Sequence, residues 1–253
     1  MRILHTADLH LDRTLLETRL LDDQAHVLDQ IVSIARDRRP DLVVIAGDVF
    51  DRAQVRGEAV ELLSDFLRRL HETGSAIAMI PGNHDAPDRI GFAGSLLQSA
   101  GVHVCGALRS GLISVRLADC HGPVEIHLLP YADPAEGREA FADPAIRTHD
   151  QLIGACLDGR IPSASPVRHV VVGHCFVAHG LECESERPLA VGGAGLVEMQ
   201  RFAAADLVLL GHLHRPQPLY AGSILPYSFD EAGDRKRVVL IELGAKGTPP
   251  QRE

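Results

Sequence analysis

Five short apolar runs recur along the chain, and each ends in a polar cluster. Ile3 to Ala7 runs into Asp8-Leu9-His10, and Leu42-Val43-Val44-Ile45-Ala46 runs into Gly47-Asp48. Ala76 to Ile80 ends at Pro81-Gly82-Asn83-His84-Asp85, His169 to Val172 ends at Gly173-His174, and Asp206 to Leu210 ends at Gly211-His212-Leu213-His214. The runs are rich in β-branched residues and too short to be spanning helices, so they predict strands buried on both faces. Between the first runs the apolar period changes to that of a helix. Leu28, Ile31, Val32 and Ala35 mark an amphipathic helix over Asp22 to Arg38, closed by Pro40. Ala59, Leu63, Phe66, Leu67 and Leu70 mark a second, with Gly74 at its end. The alternation predicts β-α-β units and an α/β fold.

The remaining chain carries weaker patterns. A short helix is expected over Arg89 to Ala100, and several strands over Val102 to Leu129, broken by Gly106, Gly111 and His121-Gly122-Pro123. Residues 130 to 166 are rich in Asp, Pro and Ala, with one helix expected around Asp150 to Leu157. Gly192-Gly193-Ala194-Gly195 marks a mobile or ligand-adjacent loop between the two histidine-tipped strands. Arg237 to Leu243 reads as a last strand, followed from Gly244 to Glu253 by a polar tail.

Composition narrows the chemistry. The formal charge of -9, from 25 basic and 34 acidic residues, argues against holding nucleic acid by a basic surface alone. It suits a site that gathers carboxylates around cations. Five scattered cysteines without a C-x-x-C pair exclude a disulfide scaffold or zinc ribbon and point to a reducing, cytoplasmic compartment. Met1 leads straight into the first strand with no apolar signal segment, and no run is long enough to cross a bilayer.

The fourteen histidines make metal ligation the first chemistry to test. The strand ends contribute Asp8, His10, Asp48, Asn83, His84, His174, His212 and His214. A lone histidine is ordinarily a hydrogen-bonded core or surface residue, but coincidence at five strand ends is not. The open end of an α/β sheet is where such folds place ligands. Carboxylate, imidazole and one amide oxygen, with no thiolate, suit divalent manganese, iron or zinc. There are too many ligands for one open ion. Two ions about 3.5–4 Å apart and sharing a carboxylate would use the set and clamp a phosphoryl oxygen. Asp48 is the expected bridge. Extended alternation would turn Asp8 and His10 to one side, and would send His212 and His214 one toward each ion. His84, beside Asn83, is the expected non-ligand, placed to protonate a leaving oxygen or steady charge on phosphorus. Asp85 and Asp51 are either acceptors that orient neighbouring imidazoles or turn residues.

The series Asp8-x-His10, Gly47-Asp48-x-x-Asp51, Gly82-Asn83-His84-Asp85, Gly173-His174 and Gly211-His212-x-His214 resembles the calcineurin-like metallophosphoesterase superfamily, with its motifs in order. The resemblance implies a four-layer α/β/β/α sandwich. It also implies one ion held by Asp8, His10, Asp48 and His214, another by Asp48, Asn83, His174 and His212, and His84 as the catalytic histidine.

Within that superfamily, three phrases look like the SbcD family of DNA-repair nuclease subunits: Arg2 to Leu11, Ala46 to Asp51, and Leu210 to Gln217. So do Ser185-Glu186-Arg187 with Val191-Gly192-Gly193, Tyr220 to Ser223, and Tyr227 to Gly233. The likeness is weakest over residues 107 to 166. It implies a manganese-dependent exonuclease and endonuclease acting on DNA in repair or recombination, with an SbcC-like SMC-type ATPase as partner; a homodimer is an open alternative that the resemblance does not supply. Members of that family continue past the final strand into a DNA-capping domain. Here residues 1–243 are expected to form the phosphoesterase domain and 244–253 a tail, with no capping domain. Two alternatives follow from the breadth of the superfamily: a phosphoesterase acting on a cyclic nucleotide, nucleotide or phosphoprotein, and a non-catalytic scaffold for a partner ATPase.

Overall fold

The structure is a computed structural model that describes residues 1–162, 165–187 and 194–253. The first half runs β1 (Arg2–Thr6), the hairpin β2 (Thr14–Leu15) and β3 (Thr18–Arg19), α1 (Leu21–Arg38), β4 (Leu42–Ala46), α2 (Gly57–His71) and β5 (Ala76–Ile80). Short turns α3 (Pro87–Ile90) and α4 (Gly94–Leu97) lead to β6 (Val102–Val104), β7 (Ile113–Asp119) and β8 (Gly122–Leu129). Then come α5 (Pro134–Phe141), α6 (His149–Leu157), β9 (Arg168–His174), β10 (Phe176–Val177), β11 (Leu196–Val197), β12 (Leu207–Gly211), β13 (Val239–Glu242) and β14 (Gln251–Arg252).

Two sheets stack face to face. One has the order β14-β13-β1-β4-β5-β6, the other β12-β9-β8-β7. Strands β1, β4, β5 and β6 are parallel, as are β8, β9 and β12. Each strand therefore divides its apolar residues between two cores. Leu4, Val43 and Ile45 pack under α1 and α2, while Ile3, Leu42 and Val44 meet Val124, Ile126, Val170 and Leu209 of the other sheet. The far face of that sheet, with Leu129, Val171 and Leu210, is covered by Leu152, Ile153 and Cys156 of α6. The result is the four-layer α/β/β/α sandwich. Burial of each such Leu or Ile side chain is worth about 1.5–3 kcal/mol.

The helices expected over 22–38 and 59–70 are α1 and α2. The former carries Asp22 and Asp23 in its first turn and Arg36 and Arg38 in its last, matching the helix dipole. The helix expected over Arg89 to Ala100 is instead broken into α3, α4 and a 3₁₀ turn at Gln98–Ala100. Gly91 causes part of the break: a Cβ there would lie 2.7 Å from the Cα of Gly106. Helix α5 escaped the periodicity because it buries only Gly137 and has no apolar stripe. Its signal is a capping box, with Asp133 and Glu136 around Pro134. The tail expected from Gly244 ends in β14, which pairs with β13. Gly192 and Gly193 of the expected glycine-rich loop lie outside the described residues. No helix among the described residues is long and apolar enough to cross a membrane.

The sheets converge at the C-terminal tips of β4, β9 and β12. A Cβ on Gly211 would sit 1.9 Å from the Ala46 carbonyl oxygen, a backbone contact across the two sheets. Gly211→Ala is therefore expected to lower stability by about 1–3 kcal/mol, as overpacking does. Urea unfolding measures it; an unchanged midpoint would show that the sheets part there without cost.

Candidate metal centre

The polar residues beyond the strand tips leave the sheet through unusual backbone. Asp8, His10 and Asp48 have φ of 53°, 44° and 49°, and His212 has φ of 106°. Left-handed conformations in residues other than glycine cost about 1–3 kcal/mol each and persist where the surroundings dictate them. Here the surroundings are a lattice of hydrogen bonds. Asp8 N–H donates to the Gly47 carbonyl at 3.0 Å and His10 N–H to that of Asp48 at 2.9 Å. The buried Gln24 amide donates to the His10 carbonyl at 2.7 Å. Asp8 and His10 are thus brought together by left-handed turns, and not by the extended alternation expected from sequence.

All eight candidates converge on one buried cleft, in two halves. In one, a carboxylate oxygen of Asp8 and a ring nitrogen each of His10 and His214 lie within 4.8 Å of one another, and the two Nε2 atoms are 3.0 Å apart. In the other, the Asn83 Oδ1 lies 3.0 Å from His174 Nε2 and 3.2 Å from His212 Nδ1. Asp48 stands between. Its Oδ2 is 3.5 Å from His10 Nε2 and 3.4 Å from His174 Nε2, while its Oδ1 accepts the His84 N–H at 2.9 Å. His212 and His214 fall into opposite halves.

The protons tell what the cleft fits. His174 donates Nδ1–H to the Ala46 carbonyl at 2.9 Å, so Nε2 is the ring atom that faces the acceptor oxygens of Asn83 and Asp48. The Ser185 hydroxyl gives its proton to Glu231, so it accepts from His214 Nδ1 at 2.6 Å, and the His214 Nε2 carries a lone pair. That lone pair faces His10 Nε2. Asp8 Oδ2 is buried without a partner. An unpartnered buried carboxylate oxygen, with imidazole nitrogens turned toward one another beside it, is an arrangement that a bound cation satisfies. The donor set of imidazole, carboxylate and amide oxygen fits two divalent ions.

The electrostatics agree. Burial, with the neighbouring Asp48, pushes the Asp8 carboxyl well above the usual carboxylate range. Burial pushes His10 down to about 3, a neutral imidazole ready to coordinate. Burial opposes the charge on Asp48 too, but the imidazoles of His174, His10 and His84 outweigh it and hold that carboxyl well below its ordinary value. In the same pairing, Asp48 outweighs burial at His174 and raises it to about 9, so in the polypeptide alone a proton on Nε2 meets Asp48 and Asn83, and coordination through that nitrogen would displace it.

The surrounding carboxylates divide. Asp51 Oδ1 lies 3.4 Å from His10 Nδ1 and 2.9 Å from Arg13 Nη1, beside the imidazole it was expected to orient. Asp85 touches no imidazole. It accepts the N–H groups of Gly82, Val49 and Phe50 at 2.8, 3.0 and 2.9 Å, clamping the β5 loop onto the β4 loop. His84 donates Nδ1–H to the Asp51 carbonyl at 2.8 Å, and its ring stands edge-on to His10 at 4.6 Å. Its Nε2 is left for other work, although His84 also lies within ligand reach of His10 and Asp48.

Residue-by-residue reading missed the groups that hold His214. Glu231, fully buried, bonds Ser185, Ser223, Ser228 and Lys236. Glu186 accepts the His214 N–H at 2.6 Å. Tyr227 lays its ring 5.8 Å from His214 and 5.3 Å from His10. Their only sequence signal was the narrower resemblance over 185–187 and 227–233.

A two-sheet sandwich whose parallel strand tips gather this donor set is the frame of a metal-dependent phosphoester hydrolase. The chain belongs to the calcineurin-like phosphoesterase family, whose pattern matches residues 1–216, and that family works through dinuclear metal centres. Among solved structures it is similar to a dimetal phosphatase from Danio rerio, at 13% identity and a TM-score of 0.52 over 99% of this chain and 98% of that one. It is also similar to the TT1561 protein of Thermus thermophilus, at 15% identity and a TM-score of 0.47 over 88% and 89%. GAP50 of Plasmodium matches at 10% identity and a TM-score of 0.49 over 100% and 83%. At such identities the likeness is one of fold.

Ser185→Ala removes the acceptor that sets the His214 tautomer. It is expected to weaken divalent-metal binding about 10- to 100-fold, as loss of an outer hydrogen-bond partner does. Titration calorimetry with Mn²⁺ measures this; wild-type affinity would mean Ser185 does not position the imidazole.

Proposed function

We propose that the chain is a phosphodiesterase acting on DNA, a nuclease of the SbcD kind. The observation that carries this is the placing of the narrower resemblance. Its segments supply Ser185, Glu186, Tyr227 and Glu231, the residues packed around His214. The SbcD-like phrases therefore fall on the working parts of the cleft. Supporting it, the loop beside His84 carries Arg52 and Arg56, with side chains 73% and 60% exposed, and Arg89 donates to the Ala53 carbonyl at 2.9 Å. Arg52 pairs with Asp51 at 3.4 Å and Arg56 with Asp12 at 3.2 Å, and in this reading their exposed guanidinium groups would exchange those partners for phosphates of the DNA backbone.

In this reading Asp8, His10 and His214 hold one ion and Asn83, His174 and His212 the other, with Asp48 shared. The pair, when bound, supplies Lewis-acid polarisation of the phosphoryl oxygens and of the attacking water. The chain does the rest. The Asp51 carbonyl fixes the His84 ring through Nδ1–H, leaving Nε2–H of a protonated imidazole to reach the leaving oxygen. Arg13, donating to the Asp51 carboxylate at 2.9 Å, keeps that loop in register.

His84→Ala should keep the metal content while turnover of bis-p-nitrophenyl phosphate falls by about 10²–10⁴, the range for a lost general acid. The same proteins, with Mn²⁺, are assayed on linear duplex DNA, a DNA hairpin and a cyclic nucleotide. Cleavage of either DNA, abolished in the variant, is the expected result. Cleavage of the cyclic nucleotide but of neither DNA would overturn the substrate reading and leave the phosphodiesterase chemistry standing.

A further inference from the structure

On the outer face of the second sheet lies a separate group of metal-ligating side chains. Val124, Ile126, Leu128, Val170 and Val172 point into the space between the sheets, so Glu125, His127 and His169 point the other way. Register brings them together: Ser114 is opposite His127 in the antiparallel pair β7/β8, and Glu125 is beside His169 in the parallel pair β8/β9. Both imidazoles are buried, at 2% and 1% exposure.

Their nitrogens are arranged for coordination. His127 Nε2 and His169 Nδ1 are 3.0 Å apart, and Glu125 Oε2 is 3.9 Å from His169 Nδ1. All three donor atoms lie within 4.8 Å of one another. The Ser114 hydroxyl is 2.8 Å from His127 Nδ1, a partner that can take that proton and leave Nε2 with a lone pair facing His169. The His169 Nε2 is buried with no partner among the described residues, so in the polypeptide alone the ring proton sits on Nδ1 and bonds His127 Nε2, and coordination through Nδ1 would move it to Nε2. Burial lowers the pKa of both imidazoles, which keeps them neutral, as ligands must be. Two cations border the group: Arg116, an exposed side chain, pairs with Glu125 Oε1 at 3.6 Å and leaves Oε2 toward His169, while Lys246 is engaged by Asp206 at 2.7 Å, which also accepts the His169 N–H at 2.7 Å.

We propose that Glu125, His127 and His169 form a second metal site, distinct from the phosphoesterase centre, that takes a zinc-class divalent ion and ties β8 to β9. Two imidazoles and one carboxylate suit zinc, with a fourth position left to water. Zn–N and Zn–O bonds of 2.0–2.2 Å place tetrahedral donors about 3.3 Å apart. The observed 3.0 and 3.9 Å differ from this by about 0.3 and 0.6 Å, and the third pair of donors lies within 4.8 Å, so side-chain adjustment within the group would close the site. The Glu125 side chain, 20% exposed, is the path to solvent.

The test counts ions. Full-length protein is stripped with a chelator, dialysed against Zn²⁺ and analysed for metal per chain. Wild type is compared with Glu125→Gln and with His127→Gln/His169→Gln. The double substitution is expected to bind one zinc fewer per chain, and Glu125→Gln to bind that ion at least tenfold more weakly. Neither should change phosphoesterase turnover, and both should lose part of the zinc-induced rise in Tm. If the double variant fails to fold, Glu125→Gln, which alters a partly exposed side chain, decides alone. Wild-type zinc affinity and stoichiometry in a folded Glu125→Gln protein would overturn the proposal and leave a plain Ser–His–His hydrogen-bond chain.

Discussion

The structure depends on two sheets touching backbone to backbone at one end. Every candidate ligand of the phosphoesterase centre comes from strand tips and loops on the two sides of that contact: Asp8, His10, Asp48 and Asn83 from the first sheet, His174, His212 and His214 from the second. Ordinary sheets pack about 10 Å apart with side chains between them. Glycines remove the side chains here. A Cβ on Gly47 would lie 2.2 Å from His174 Nδ1, and one on Gly82 would lie 2.2 Å from Asp48 Oδ1. The gap they leave lets the His174 imidazole of one sheet bond the Ala46 carbonyl of the other. That hydrogen bond positions a side chain and staples the layers together.

Closure of the layers also accounts for the strain. Four of the candidate residues occupy backbone conformations that L-residues avoid, and each is held by bonds to neighbouring strand ends. The cost is met by the three cores behind the tips, which bury near-continuous apolar strands. A rigid, prestrained rim suits chemistry in which donors must already be in place when charge develops on phosphorus. The unpartnered Asp8 Oδ2 has the same origin: the fold places that buried oxygen where no group of the described residues bonds it.

Much of this was legible in the sequence, because parallel strands buried on both faces are written as unbroken apolar runs and their tips as abrupt polar clusters. The five ligand-bearing strands, the helices α1 and α2 and all eight candidate residues could be read that way. What could not be read has physical causes. The left-handed turns at Asp8 and His10 have no signature in residues other than glycine, so the correct pairing followed from an incorrect geometry. Asp85 stayed open between an imidazole partner and a turn residue because spacing cannot distinguish a ring N–H from a backbone N–H as donor. Glu231 and Ser185 act through contacts 46 residues apart in sequence, which no local pattern encodes. Helix α5 is a capped helix whose one large apolar residue, Phe141, makes no periodic stripe to reveal it, and the outward histidines of β8 and β9 break no strand pattern.

The central claim is that Asp48 is shared by two ions, one bound mainly by each half of the cleft. Anomalous diffraction from crystals grown with Mn²⁺ tests it most directly. The account predicts two peaks about 3.5–4 Å apart, one against Asp8, His10 and His214, the other against Asn83, His174 and His212, with the Asp48 carboxylate reaching both. A single peak, or two that Asp48 does not join, would contradict it.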